Sequence, residues 1–406
     1  MIQVKLKLIA KRMNHSLFAM IFGISMISCD RTAPLQDETN SLPNLPPREV
    51  VVYVSTDEAI ARPILEAFSQ ESGITVRARY DSENSKTTAL AAMLRTERKA
   101  PRADVFWSGE CFAASQLGRE GVIAPWRFMR SGELPDSFRG ESGWWHGFAP
   151  RMRVLVYDPS RITADQLPQS MLDLATTVLS KRVAIADPRF GTTRCHIGAF
   201  ASQMEWREVG SFQKWVDGFV VNKPLLLAGG NAAVVDAVIH KEVDFGLTDS
   251  DDVYAAVANG AVLAMIPLRQ FPNGESGGGP MLIPNTISLV DGAPHPEEAN
   301  ALMIFLLQPK VTAWLNASRS GNFIVQMNSP TNVATNTAPN STPNAAISTL
   351  VSSPPPAGLA LMPENVELIR IKSVEDPFQY EQTIVVQSID TSVGILRTAC
   401  AKQGAN

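Results

Sequence analysis

Carboxylates at the ends of short apolar runs are the residues best placed to do chemistry in this chain. Asp57 and Glu58 follow the run VVVYVS at 50–55, Glu110 follows ADVFW at 103–107, and Asp249, Asp251 and Asp252 follow VDFGL at 243–247. If those runs are strands of an open α/β sheet, the acids lie beyond the carboxyl ends of the strands, where such sheets bind ligands. Carboxylates converging from separate loops repel one another unless a cation or strong donors compensate them. Oxygen-rich sets of this kind suit hard cations. The same residue types are also favoured helix N-caps, and TDSDD before an apolar helix fits that role equally well.

Three further clusters are compatible with binding. Gly191, Thr192 and Thr193 stand between a strand-like segment and a helical one, where backbone N–H groups can hold an anion. Arg151 and Arg153 lie on one extended run, with one expected to reach a cleft and the other to be solvated. Gly229, Gly230 and Asn231 read as a turn and a cap. Catalytic signatures are sparse. The chain contains no HExxH or P-loop pattern. Cys195 and His196 are neighbours in sequence, which does not make a nucleophile and base pair. Enzymatic turnover on a carboxylate-bound metal remains a third reading.

The elements that must position these groups alternate regularly. Strand patterns at 49–55, 74–80 and 103–107 are separated by helical spacing at 58–72 and 87–99. A second series follows. Extended runs occur at 151–158, 182–186, 243–247, 262–267 and 280–290. Helical runs occur at 197–205, 212–219, 234–240, 251–259, 297–307 and 311–317. The alternation predicts an α/β fold with mostly parallel sheets. Its length fits two lobes better than one sheet. Lobe 1 is expected at 48–152 and 258–318, and lobe 2 at 153–257 and 357–400. A terminal helix is expected within 378–397, against the β-rich stretch 383–386.

The ends of this pattern differ in composition. Lys5, Lys7, Lys11 and Arg12 precede an apolar run at 16–28, too short to span a bilayer but suited to a signal peptide. Ser28-Cys29 closes it like a bacterial lipobox, making Cys29 the expected lipidation site and 29–47 a polar, Pro-rich tether. Residues 325–356 are dominated by Asn, Thr, Ser, Pro and Ala and read as a disordered insertion. Cys111, Cys195 and Cys400 are far apart and lack metal-ligand spacing. With 45% hydrophobic residues and a net charge of −4, the chain is globular and shows no basic nucleic-acid footprint.

The ordered segments VVVYVSTDE, ADVFWSGE, RMRVLVYD, ADPRFGTT, VDFGLTDSDD and MLIPNTISLVDGAPHPEEANALMIFLL resemble the extracellular solute-binding proteins of family 1, which include ferric-iron-binding proteins of bacterial ABC importers. The resemblance covers about residues 50–317. It implies a two-lobed type 2 periplasmic-binding-protein fold with a hinge between lobes. It further implies a monomer in the periplasm, here lipid-anchored, that delivers its ligand to an ABC permease. No cofactor is required. The leading ligand is Fe³⁺ or another hard cation with a synergistic anion. Asp57 and Glu110 match positions that ligate metal in ferric members. The paired tyrosines of those members fall on Asp251 and Asp252, and the anion site falls on Gly191, Thr192 and Thr193. The loss of phenolates puts iron specificity in doubt and leaves a polyamine, phosphonate or sugar phosphate open. A lipid-anchored adaptor without small-ligand capture also stays open. The expected ligand-binding set is Asp57, Glu110, Arg153, Gly191, Thr192, Thr193, Asp249, Asp251 and Asp252. Its expected metal ligands are Asp57, Glu110, Asp251 and Asp252.

Overall fold

The computed structural model describes residues 48–81, 87–176, 179–272, 278–324, 353–363, 377 and 382–404. The signal peptide, the tether, Cys29 and nearly all of the 325–356 insertion lie outside the described residues. The described chain alternates strands and helices as the sequence predicts. It runs β1 (Glu49–Val54), α1 (Glu58–Ser72), β2 (Thr75–Tyr80), α2 (Thr88–Glu97), β3 (Val105–Ser108), α3 (Phe112–Arg119), β4 (Ile123–Ala124) and β5 (His146–Tyr157). It continues with β6 (Val183–Ala186), α4 (Gly191–Arg207), α5 (Ser211–Val221), β7 (Leu225–Leu227), α6 (Gly230–Ile239), β8 (Phe245–Asp249), α7 (Ser250–Ala258) and β9 (Ala264–Pro267). It closes with β10 (Leu282–Val290), α8 (Pro296–Leu306), α9 (Pro309–Ala317) and α10 (Gln382–Gly404).

One long strand organises both lobes. The first part of β5 pairs with β10, which continues through β3 and β1 to β2. From Arg153 onward β5 pairs with β8 on one side and β9 on the other, and β8 leads through β6 to β7. The parallel strands β1, β3, β6 and β8 are nearly all buried, as strands covered on both faces by helices must be. Their apolar runs rich in Val and Ile follow from that.

Strand pairing changes one expected boundary. The sequence places the return to the first lobe at residue 258, but β9 remains hydrogen-bonded to β5, on the edge opposite β8. The chain crosses back only in the segment between Pro267 and Leu282. Helix α3, strand β4 and strand β7 carry no pattern long enough to identify in sequence. The terminal helix does form over Gln382–Gly404 despite its β-branched start. Packing explains this. Val385, Ile389, Val393 and Leu396 of α10 join Phe200, Trp215 and Phe219 in one buried cluster. Tertiary burial outweighs the modest helix cost of Val and Ile.

The fit of α10 on α4 is tight. A Cβ at Gly198 would stand 2.5 Å from Cγ1 of Ile389. Ile389 itself has no solvent exposure. Ile389→Ala is expected to lower stability by about 2–4 kcal/mol, the cost of an unfilled core site. Urea unfolding monitored by far-ultraviolet circular dichroism measures it.

Candidate functional site

The acidic segments converge where the two sheets share β5. A cavity of about 50 Å³ is lined by residues just past β1, β3, β6, β7 and β8, and by Arg151 of β5. This is the strand-end position expected for ligands in α/β sheets. Helices α3, α4, α6 and α7 all begin beside it. Their partial positive ends disperse part of the local negative charge.

Asp249 is the centre of a buried network. Nη1 of Arg153 donates to its Oδ1 at 2.7 Å. Its Oδ2 accepts from Nε of Arg151 at 2.9 Å, Oγ1 of Thr192 at 2.7 Å and Nδ2 of Asn231 at 3.0 Å. Burial raises the proton affinity of Asp249, but Arg153 and Arg151 outweigh it and hold the carboxyl below its usual range. Arg153 is fully buried and also donates to Thr193 Oγ1, the Leu247 carbonyl and Nδ1 of His196. Nε2 of His196 faces Oε1 of Gln270 at 2.6 Å, so that nitrogen carries the ring proton. Burial, reinforced by Arg153, pushes His196 down to about 3 and keeps it neutral. The expectation that one of the two arginines is solvated therefore fails. Arg151 borders the cavity, Arg153 lies beneath it, and both are held by Asp249.

Asp251 and Asp252 occupy the first turn of α7, whose N-cap is Asp249. Ligand oxygens of the three acids lie within 4.8 Å of one another. Oδ2 of Asp251 is 3.7 Å from Nε of Arg151, and Oδ2 of Asp252 accepts from the Thr248 hydroxyl at 3.3 Å. Five carboxylates line the cavity, Glu110, Asp187, Asp249, Asp251 and Asp252; Arg151, Arg153 and, at Asp187, Arg189 oppose them, which leaves an excess of two negative charges.

Two expected metal ligands behave differently. Asp57 is exposed at the N-cap of α1 and is not among the residues lining the cavity. Ser55, two residues earlier, borders the cavity instead. Glu110 does line it, but its carboxylate is turned onto its own helix. The Glu110 oxygens accept from the Phe112 N–H at 2.5 Å and the Ala113 N–H at 3.1 Å, and Sγ of Cys195 lies 3.1 Å away. This cap joins α3 to α4 across the cleft. Burial first, then Glu110, pushes the Cys195 thiol well up, so it stays protonated and donates. Gly191, Thr192 and Thr193 open α4 at the cavity wall as expected.

Several lining residues were not expected. The hydroxyl of Ser55 accepts from the Gly109 N–H at 2.8 Å and from Thr87 at 3.1 Å. Thr87 holds a positive φ of 69°, a strained conformation for a β-branched residue. At Gly109 a Cβ would meet Nη2 of Arg151 at 3.2 Å, so the missing side chain admits the guanidinium. Asn231 had the signal of a cap alone.

Residues 50–318 match the family described as bacterial extracellular solute-binding protein. The chain belongs to that family. Among curated relatives, this solute-binding protein is 27% identical over 198 residues to the Fe(3+)-binding periplasmic protein of Serratia marcescens, covering 49% of this chain and 56% of that one. It thus spans only about half of that relative. It is 23% identical over 329 residues to iron uptake protein A1 of Synechocystis, covering 78% and 86%. Iron-bound HitA from Pseudomonas aeruginosa superposes with a TM-score of 0.64 at 18% identity, over 87% of this chain and 99% of that one. The superposition confirms the two-lobed fold of the solute-binding protein.

Two measurements test the network. Asp249→Ala strips Arg153 of its counter-charge and is expected to cost about 3–5 kcal/mol, as for other broken buried pairs. Equilibrium urea unfolding reads it. The acid dependence has a defined sign. His196 has a folded-state pKa of about 3, below its ordinary value of 6.5, so its contribution is complete above 6.5 and is lost as pH falls toward 3. His196→Gln is expected to flatten the fall in unfolding midpoint between pH 6.5 and 4.

Proposed function

We propose that the protein is the extracytoplasmic capture component of an ABC importer. It closes on a small hard cation, with ferric iron as the leading candidate, and hands it to a permease. The observation that carries this reading is the cluster of Asp249, Asp251 and Asp252 facing a cavity with surplus negative charge. Asp249 is engaged by both arginines, so Asp251 and Asp252 are the proposed metal ligands. Carboxylates are hard oxygen donors and suit such cations. Asp57 is dropped from the set, and Glu110 is assigned to positioning α3 against α4.

Among the described residues no tyrosine lines the cavity, so iron here would be held without phenolate. A synergistic oxyanion at the α4 N-terminus, against Thr192 and Thr193, completes the coordination in this reading. With the lobes as they stand, and at roughly 10–15 Å³ for one water, the cavity has room for an ion with a few small ligands. Of the curated relatives, one is named an Fe(3+)-binding periplasmic protein and another an iron uptake protein. The signal and Cys29 support a lipid anchor that keeps the protein in the periplasm near its permease.

Capture works through the lobes. A ligand that touches groups on both sides shifts the open and closed populations toward closed. Arg151 and the α3–α4 contact at Glu110 and Cys195 already meet across the cleft.

The test is metal binding by competition calorimetry with ferric citrate, with metal analysis of freshly purified protein. Asp251→Asn with Asp252→Asn is expected to weaken binding about 100-fold, equivalent to about 2.7 kcal/mol. Unchanged affinity in the double variant would overturn the assignment.

A further inference from the structure

The C-terminal helix does more than cover α4. It grips the end of α4 that lines the cleft. Oδ1 of Asp390 is 2.7 Å from Nη2 of Arg194 in the first turn of α4. About two turns further along α10, Nε of Arg397 lies 3.6 Å from Oδ1 of Asp187. Asp187 precedes α4. Its carboxylate accepts from the Arg189 N–H, and its carbonyl accepts from the Phe190 N–H, so it shapes the turn that delivers Gly191, Thr192 and Thr193 to the cavity.

Asp187 borders two cavities. One is the cleft cavity already described. The other is a crevice of about 410 Å³ between the end of α10 and the edge strand β7. Val220, Leu226 and the half-buried Cys400 give it apolar walls, while Lys223 and Arg397 stand at its rim. Asp187 is its one lining carboxylate among the described residues, and Arg189 already holds that group at 2.6 Å. The rim therefore carries surplus positive charge above an apolar interior. A carboxylate is matched by the planar fork of an arginine, and an apolar tail by the walls.

We propose that this crevice is a second ligand site, which takes a medium-chain aliphatic carboxylate and loosens the cleft end of α4 when filled. The 3.6 Å separation of Arg397 and Asp187 exceeds a hydrogen-bond length, so the incoming carboxylate replaces a weak pairing. Asp187 keeps Arg189 and remains compensated. What is lost is the tie from α10 to the turn before α4. Solute binding and carboxylate binding then oppose each other, and the effect is reciprocal because the coupling is a single free energy.

The test uses the metal-free full chain, with octanoate as probe and acetate and 1-octanol as controls. Calorimetry is expected to show one octanoate site, with both controls weaker by about tenfold or more, since each lacks half of the recognition. Lys223→Ser and Leu226→Asp are each expected to weaken octanoate by a similar factor. Hydrogen exchange of the Thr192 to Cys195 amides is expected to quicken at saturating octanoate. No octanoate binding at millimolar concentration overturns the site, as does an equal affinity for either control or full affinity in both variants. Unchanged exchange with octanoate bound overturns the coupling. Neither readout uses the cleft ligand, so these outcomes stand apart from the fate of the cation assignment.

Discussion

The buried contact between Arg153 and Asp249 is the constraint on which the rest of the site depends. A guanidinium with no solvent exposure is tolerable only if its donors are matched, and here β8, α4 and α6 all contribute partners. Removing those charges from water is costly, and such a pair is not by itself a source of stability. Its effect is geometric. It ties the strand shared by both sheets to the end of β8, and so fixes where α7 begins. Asp251 and Asp252 inherit their positions from that start.

The same logic separates acids that bind from acids that build. Five carboxylates reach the cavity, and three of them are committed to building it, Asp187 being held by Arg189. Asp249 is saturated by arginine, threonine and asparagine. Glu110 is occupied by backbone N–H groups at the start of α3. The surplus negative charge is therefore concentrated on the first turn of α7, where the helix end tolerates it in the absence of a cation. A site of this type can be stable when empty and still favour a cation.

Much of this was legible in sequence, for definite reasons. Strand-terminal acids are readable because apolar runs end sharply and parallel sheets place their ends together. The cluster at 249–252 and the threonines at 192–193 followed from that. Asp57 misled because being near a strand end does not set side-chain direction, and Ser55 is the residue at the wall. The role of Glu110 could not be read because its capping geometry and its contact with Cys195, 85 positions away, exist only after folding. Arg153 carried no sign of burial, since its partners come from three separate segments. The boundary at 258 failed because β9 is too short to declare which sheet it joins.

The shared strand has a consequence for how such a chain can vary. Arg151 and Arg153 are two positions apart and therefore lie on the same face of β5, while successive residues alternate between faces. Losing or gaining one residue within this strand would turn one sheet's partners over relative to the other's. Only a bulge can absorb such a change, as one already does between Phe148 and Arg151 where β5 meets β10. The stretch of β5 from Arg151 to Tyr157, which carries both arginines and pairs with β8, is thus the part of the strand least able to change length.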